Sequence, residues 1–189
     1  MSIQHNRTLR LRMTLYSALF AALMVIGAYI AVPLPFSPVP IVLTDFFIMS
    51  AGIFLGAKYG IVSVTLYLFL GSIGLPVFAG GNGGLYAFLG PTGGFLLGYV
   101  PLVAVTGYVF RKCKGIPLRA VLALLSGNVV LYAIGIPFLK LYSHSPWLGA
   151  ITVGLIPFLP GLILKIALVV VLERLLRSQL RFLRTGIGS

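Results

Sequence analysis

Six apolar runs, each about as long as a membrane-spanning helix, dominate this sequence of 189 residues. A helix that crosses the hydrocarbon core of a bilayer needs about 20 mostly apolar residues. The runs occupy residues 13–32, 41–57, 60–77, 88–110, 118–139 and 149–173. Because they use up the chain, we expect one membrane-embedded domain, residues 1–189. The predicted fold class is an all-α integral membrane protein with six transmembrane helices.

The composition excludes the two main alternatives. Hydrophobic residues make up 59% of the chain and charged residues only 8%, whereas soluble domains average about 45–50% and about 25%. A water-soluble globule is therefore excluded. A disordered chain needs low hydrophobicity and many charges, but this one has only two acidic residues, Asp45 and Glu173.

The basic residues cluster beside the apolar runs and indicate an orientation. If the N-terminus is cytoplasmic, all of the 14 lysines and arginines except Lys140 and Lys165 fall on the cytoplasmic side. Cytoplasmic loops of membrane proteins are enriched in these residues, so we expect both termini in the cytoplasm. The net charge of +12 is also typical of nucleic-acid binders, but such binding needs a water-exposed basic face. We expect no nucleic-acid partner.

Lys165 lies inside the sixth apolar run, shortly after the sequence PFLPG at 157–161. An ammonium group within the bilayer is costly unless water or an anion accompanies it. Lys165 is therefore a candidate substrate contact, the alternative being a side chain that extends to the outer surface. The prolines before it indicate an interrupted helix, which is common at transporter sites. Asp45, early in the second run, either neutralises Lys165 directly or hydrogen-bonds a ligand.

A glycine-rich segment at 74–84, GLPVFAGGNGG, precedes the fourth run. Irregular backbone at membrane depth persists only where it is buried in protein or lines a cavity. We therefore predict that Phe78, Asn82 and Tyr86 offer two aromatic rings and an amide to a bound molecule. The alternative is a tightly packed corner without a ligand.

Polar residues recur at helical spacing in the fifth run. Asn128, Tyr132 and Gly135 lie on one face of the predicted helix. This face either contacts a ligand, since a pocket needs a few convergent polar groups, or hydrogen-bonds another helix.

Small residues recur at a spacing of four in the first run. Ala18 and Ala22 form one such pair, and Ser17 with Ala21 forms a second beside it. Pairs of this kind let another helix approach closely. The partner helix belongs either to this chain or to another protein.

Patterns for catalysis and metal binding are missing from the sequence. It contains no His, Cys or carboxylate cluster at metal-ligand spacing and no nucleophile with a positioned base. No G-x-x-x-x-G-K-[ST] phosphate loop occurs either. We expect a protein that is not an enzyme and uses no metal or cofactor.

Taken together, several segments resemble the BioY family, the biotin-specific substrate-binding (S) components of energy-coupling factor (ECF) vitamin transporters. The matching segments are residues 33–40, 71–80, 83–84, 90–94, 127–128 with Tyr132 and Gly135, and 157–161 with Lys165. They cover most of the chain, and their order and spacing are more specific than any one of them.

The resemblance implies a bacterial cytoplasmic membrane protein with six transmembrane helices and both termini inside. Biotin would bind near the outer face beneath a lid of outer loops. A transmembrane coupling protein would dock through Ala18 and Ala22, and two ABC-type ATPases would drive uptake. In this arrangement the biotin carboxylate would meet Lys165, its ring and chain would lie on Phe78 and Tyr86, and Asn82, Asn128 or Asp45 would meet the ureido group.

One position departs from the family pattern. The last motif commonly reads Pro-Gly-Asp-x-x-Lys, and Leu162 stands here in the place of the acid. An S component for a different carboxylated vitamin or a biotin precursor therefore remains an alternative. A second alternative is an ion or proton conductor built on Asp45 and Lys165, although relays usually need several ionisable groups across the bilayer.

Overall fold

Helices make up most of the structure, and a β-hairpin follows the first of them. The computed structural model describes the backbone of residues 2–185 and the side chains of residues 7–176. Its helices are α1 (Ser2–Tyr29), α2 (Thr44–Phe54), α3 (Gly56–Ser72), α4 (Gly93–Lys112), α5 (Arg119–Ser143), α6 (Trp147–Gly154) and α7 (Leu159–Thr185). Its strands are β1 (Ala31–Leu34) and β2 (Ser37–Val42), and three short 3₁₀ turns span Ala79–Gly81, Leu85–Phe88 and Ile156–Phe158.

The length and apolar composition of the helices agree with a multi-pass membrane protein. In the described chain, four helical stretches are long and apolar enough to cross a membrane: Arg7–Tyr29, Gly93–Lys112, Arg119–Ser143 and Trp147–Leu176. Helices α2 and α3 lie where the second and third spans were predicted. With 11 and 17 residues, they are shorter than the about 20 residues of a typical spanning helix.

The hairpin corrects the sequence prediction, in which residues 33–40 only connected the first apolar run, ending at residue 32, to the second, beginning at residue 41. Strands β1 and β2 pair antiparallel, with Ala31 opposite Val42. Proline lacks an amide hydrogen and is tolerated on edge strands, and both strands of a two-stranded sheet are edges. The Ser37 hydroxyl donates a hydrogen bond to the Val153 carbonyl over 3.0 Å, which fixes the hairpin against α6.

Two helix breaks were also predicted. The runs 41–57 and 60–77 place one break at residues 58–59, but the structure has it earlier, between Phe54 and Gly56, because Gly56 adopts a φ of 75° that favours glycine. The sixth run is interrupted as predicted: α6 ends, the Ile156–Phe158 turn follows, and α7 begins. Pro160 falls in the first turn of α7, where a proline removes no helical hydrogen bond.

Helices α4 and α5 form the centre of the bundle. Leu102, Val103 and Leu124 between them are completely buried. Helix α1 packs against α3, where the Ser17 hydroxyl donates a hydrogen bond to the Tyr59 carbonyl over 3.0 Å. These contacts hold the long helices side by side.

The helices run between two chemically different ends of the bundle. The hairpin end comprises residues 30–43, 73–92 and 144–158, and the basic end comprises residues 7–12, 55–58, 111–119 and 174–176. At the hairpin end, the Tyr29 hydroxyl donates a hydrogen bond to the Pro76 carbonyl over 2.5 Å. At the basic end, Arg119 pairs with Glu173 over 2.9 Å. Among residues 7–176, every Lys and Arg except Lys140 and Lys165 belongs to the basic end.

Candidate functional site

A cavity of about 300 Å³ lies at the hairpin end. The hairpin, the start of α2, α3, the glycine-rich segment and the start of α4 all contribute to its wall. Lining residues include Val39, Val42, Thr44, Tyr67, Phe78, Asn82, Tyr86, Thr92, Phe95 and Tyr99. Its volume is at the lower end of the range of about 300–1,000 Å³ that is usual for small-molecule pockets.

Aromatic rings form a closely packed part of this wall. Phe78 is 3% exposed and meets Tyr67 edge to face, with ring centroids 5.5 Å apart. The Phe88 ring also meets the Phe78 ring edge to face, with the two centroids 5.6 Å apart. The Phe78 ring lies directly on Gly71 of α3, where an added Cβ would overlap it. Gly71 therefore provides the space that positions Phe78 in the wall.

Polar groups are few and lie at different depths in the cavity. The Asn82 amide nitrogen donates a hydrogen bond to the Ala79 carbonyl over 2.8 Å, which holds its own loop. Tyr86 is 67% exposed at the mouth, whereas Tyr99 is 7% exposed and lines the interior. This arrangement can hold a mostly apolar molecule with hydrogen-bonding groups at more than one position.

Lys165 and Asp45 form a direct ion pair behind the cavity wall. The Lys165 Nζ lies 2.8 Å from Asp45 Oδ1 and 2.9 Å from Oδ2, and it donates a third hydrogen bond to the Val42 carbonyl over 2.6 Å. Val42 and Thr44 line the cavity, while the ion pair itself does not. Of the two roles that the sequence left open for Asp45, the structure shows direct neutralisation of Lys165.

Asn128 and Tyr132 also lie outside the cavity lining. The Asn128 amide nitrogen donates hydrogen bonds to the Leu124 carbonyl over 2.8 Å and to the Met49 sulfur over 3.1 Å. Asn128 thus connects α5 to α2. Of the two predicted roles of this face, a ligand contact or a hydrogen bond to another helix, the structure shows the second. Tyr132 packs edge-on against Phe95, with ring centroids 6.2 Å apart, and Phe95 lines the cavity.

Of the ligand contacts predicted from the sequence, Phe78, Asn82 and Tyr86 therefore line the cavity, and Lys165, Asp45, Asn128 and Tyr132 do not. Sequence reasoning missed Thr44, Tyr67 and Tyr99. Tyr67 and Tyr99 carried a usable signal, because a phenol in the middle of an apolar run needs a polar partner when it is buried.

The two small-residue pairs of α1 face in different directions. Ser17 and Ala21 are buried against the bundle, at 1% exposed each, whereas Ala18 and Ala22 are exposed. Leu15 and Leu19 beside them are 70% and 53% exposed. Helix α1 therefore uses one pair for packing within the chain and leaves the other on an apolar outer face.

The fold and its apolar helices together define a multi-pass membrane protein with a cavity at one end of its helices. The sequence profile of the BioY family matches residues 3–182. This chain belongs to the BioY family.

Curated relatives and a solved structure agree with this assignment. The chain is 38% identical over 170 residues to the biotin transporter BioY of Lactococcus lactis subsp. cremoris, covering 87% of this chain and 89% of the relative. It is 38% identical over 148 residues to the biotin transporter BioY of Thermotoga maritima, covering 78% and 85%. The fold matches a crystal structure of the S-component for biotin from an ECF-type ABC transporter with a TM-score of 0.83, at 35% identity, over 90% of this chain and 93% of the other.

Proposed function

We propose that this chain is the S component of an ECF-type importer and that it binds biotin in the cavity at the hairpin end. The observation that carries the proposal is the position of this cavity in a fold that matches a biotin S-component over nine-tenths of its length. The relatives are biotin transporters by name, which confirms the expectation that this chain is not an enzyme.

The proposed topology has six crossings, with residues 1–189 as one domain in a bacterial cytoplasmic membrane and both termini inside. Helices α2 and α3 supply the two crossings beyond the four long apolar stretches. The charge distribution favours this orientation, because the basic end then faces the cytoplasm as cationic loops usually do. The cavity then opens toward the outside, where an imported vitamin arrives.

The cavity chemistry suits a molecule with an apolar ring and chain and polar groups at both ends, as biotin has. In the proposed arrangement the ring and chain lie on Phe78 and Tyr67, while Asn82, Tyr86 and Tyr99 offer hydrogen bonds. Lys165, Asp45, Asn128 and Tyr132 act from behind the wall. Lys165 in particular positions the Val42 carbonyl and, through it, the lining formed by β2.

Equilibrium binding of biotin to the purified, detergent-solubilised protein tests the proposal. We expect saturable biotin binding that Phe78→Ala weakens by about tenfold or more, because buried aromatic anchors dominate binding energies. Phe69→Ala is the matched control, since Phe69 is 58% exposed on α3 and does not line the cavity. Its biotin affinity should stay within about twofold of the wild-type value.

Dethiobiotin and lipoate, measured beside biotin, separate the alternatives. Tighter binding of either would assign the pocket to a biotin precursor or to another carboxylated vitamin. A folded sample that binds none of the three would overturn the ligand assignment while leaving the fold intact.

The proposed partners are a transmembrane coupling protein and two ABC-type ATPases, with the coupling protein docked on the exposed Ala18 and Ala22 face. Close helix packing requires small residues at such a contact. Ala18→Leu with Ala22→Leu should abolish co-purification with the coupling module and leave biotin affinity unchanged. Val62→Leu adds bulk to an exposed position on α3 and should retain the complex. Retention of the complex by the Ala18 and Ala22 variant would place the docking surface elsewhere.

A further inference from the structure

Four exposed cations gather where the α2–α3 turn meets the end of α4. This junction patch consists of Lys58, Arg111, Lys112 and Lys114. Lys58 lies in the first turn of α3, and Arg111 and Lys112 occupy the last turn of α4. The patch therefore combines charges from two segments that are 53 residues apart in sequence, counted from Lys58 to Arg111.

Close packing holds these two segments together. An added Cβ at Gly107 of α4 would overlap the Ala57 backbone, so α4 lies directly on the α2–α3 turn. A Cβ added at Gly56 of the same turn would meet the Arg111 side chain at van der Waals distance, so this side chain runs beside the turn. The junction is thus a fixed part of the bundle.

Aromatic rings support two of the four charges. The Lys58 Nζ lies 5.6 Å from the centroid of the Tyr59 ring, and the Lys112 Nζ lies 5.7 Å from the centroid of the Tyr108 ring. A cation over a ring face is attracted by the ring quadrupole. The rings restrict where these two ammonium groups lie.

Among residues 7–176, no carboxylate forms an ion pair with the patch. The sequence has two acidic residues: Asp45 pairs with Lys165 behind the cavity wall, and Glu173 pairs with Arg119. Neither forms an ion pair with a patch residue in the part of the chain that the structure describes. Cations clustered in this way attract an external anion.

Exposed apolar residues border the patch and indicate the depth at which that anion lies. Tyr108 is 60% exposed, and Ile116 and Leu118, which follow Lys114, are 44% and 56% exposed. Cations interleaved with apolar side chains are typical of the boundary between headgroups and acyl chains. The surrounding chemistry is therefore that of a lipid.

We propose that the junction patch binds the phosphate headgroup of an anionic phospholipid, in the leaflet that surrounds the basic end. Basic clusters at a membrane surface recognise anionic lipids through their charge. Lys58, Arg111 and Lys112 contact the phosphate, and the acyl chains lie along Tyr108. The lipid stabilises the folded bundle because it relieves repulsion among the four cations.

Thermal unfolding in nanodiscs of defined composition tests this proposal. Replacing about a quarter of the phosphatidylcholine with phosphatidylglycerol should raise the unfolding temperature of the wild-type protein by about 3–6 °C, and added salt should reduce the shift. Most of this rise in unfolding temperature should be lost in the triple variant Lys58→Gln, Arg111→Gln, Lys112→Gln. The control is a triple variant of α1, Arg7→Gln, Arg10→Gln, Arg12→Gln. It removes the same number of charges from the same end of the bundle and should keep most of the rise in unfolding temperature.

A charge-conserving variant separates the loss of charge from a loss of folding. We expect it to retain the lipid-induced rise in unfolding temperature; its substitutions are Lys58→Arg, Arg111→Lys and Lys112→Arg. Equal loss in both glutamine variants, or no shift in the wild type, would overturn the proposal. So would an equal shift from inorganic phosphate in detergent, which would indicate a soluble anion. An unchanged lipid response with weakened assembly on the coupling module would assign the patch to a protein partner.

Discussion

Lys165→Met should lower the unfolding temperature by about 10 °C, far more than the double variant Lys165→Met, Asp45→Asn. Removing one partner of a buried ion pair leaves an uncompensated charge, at a cost of about 3–5 kcal/mol. The side chains of Lys165 and Asp45 are only 10% and 17% exposed, so little water replaces the lost partner. Neutralising both residues removes the charge altogether and should recover most of the loss.

Thermal unfolding of the wild type, the two single variants and the double variant measures the coupling between the residues. Lys140→Met is the matched control, because Lys140 contacts the Trp147 ring rather than a carboxylate, and it should change the unfolding temperature by at most about 2 °C. If the two single effects simply add in the double variant, the pair has no energetic role. Biotin affinity should fall in Lys165→Met as well, because Lys165 holds the carbonyl of the cavity residue Val42.

Gly71→Ala should reduce biotin affinity by about tenfold or more. The added methyl group would occupy the place of the Phe78 ring, so the ring would have to leave its position between Tyr67 and Phe88. In a helix, alanine is otherwise more favourable than glycine by about 1 kcal/mol. Any loss of stability in this variant is therefore due to the collision between the added methyl group and the Phe78 ring. Isothermal titration and thermal unfolding measure the two effects separately.

Two further variants make this result specific. Gly149→Ala in α6 meets only ordinary van der Waals contacts and should leave both affinity and stability close to the wild-type values. Gly71→Ala combined with Phe78→Ala should recover stability, because the collision is gone, but not affinity, because the ring is gone too. Normal affinity in Gly71→Ala alone would show that the Phe78 position does not matter for the ligand.

The sequence predicted the long helices and their main interruption well because these depend on local chemistry. Apolar runs of about 20 residues are read directly, and the prolines at 157 and 160 indicated the break before α7. The hairpin was missed because the prolines in residues 33–40 also suit an irregular loop. Its pairing depends on Ser37 and α6, a contact across 116 residues of sequence.

The pocket was only partly predictable, for a different reason. Helical spacing correctly placed Asn128 and Tyr132 together on α5, but spacing does not tell which neighbouring element that face meets. The face packs against Met49 and Phe95. The sequence indicated that Lys165 needs water or an anion beside it, and the two acidic residues left few choices of anion within the chain. Whether Asp45 or a ligand met it depended on the tertiary structure.

The hydrogen bond between Tyr29 and Pro76 gives helix α1 a thermodynamic connection to the pocket. Tyr29 lies two helical turns, or about 10 Å, beyond Ala22 on the same helix, and Pro76 belongs to the segment that carries Phe78. A shift of α1 must therefore carry this segment along or break the bond. If a protein bound at Ala18 and Ala22 favours one position of α1, it changes ligand affinity by some factor. Ligand binding then changes the affinity for that protein by the same factor, because the two equilibria form a closed cycle.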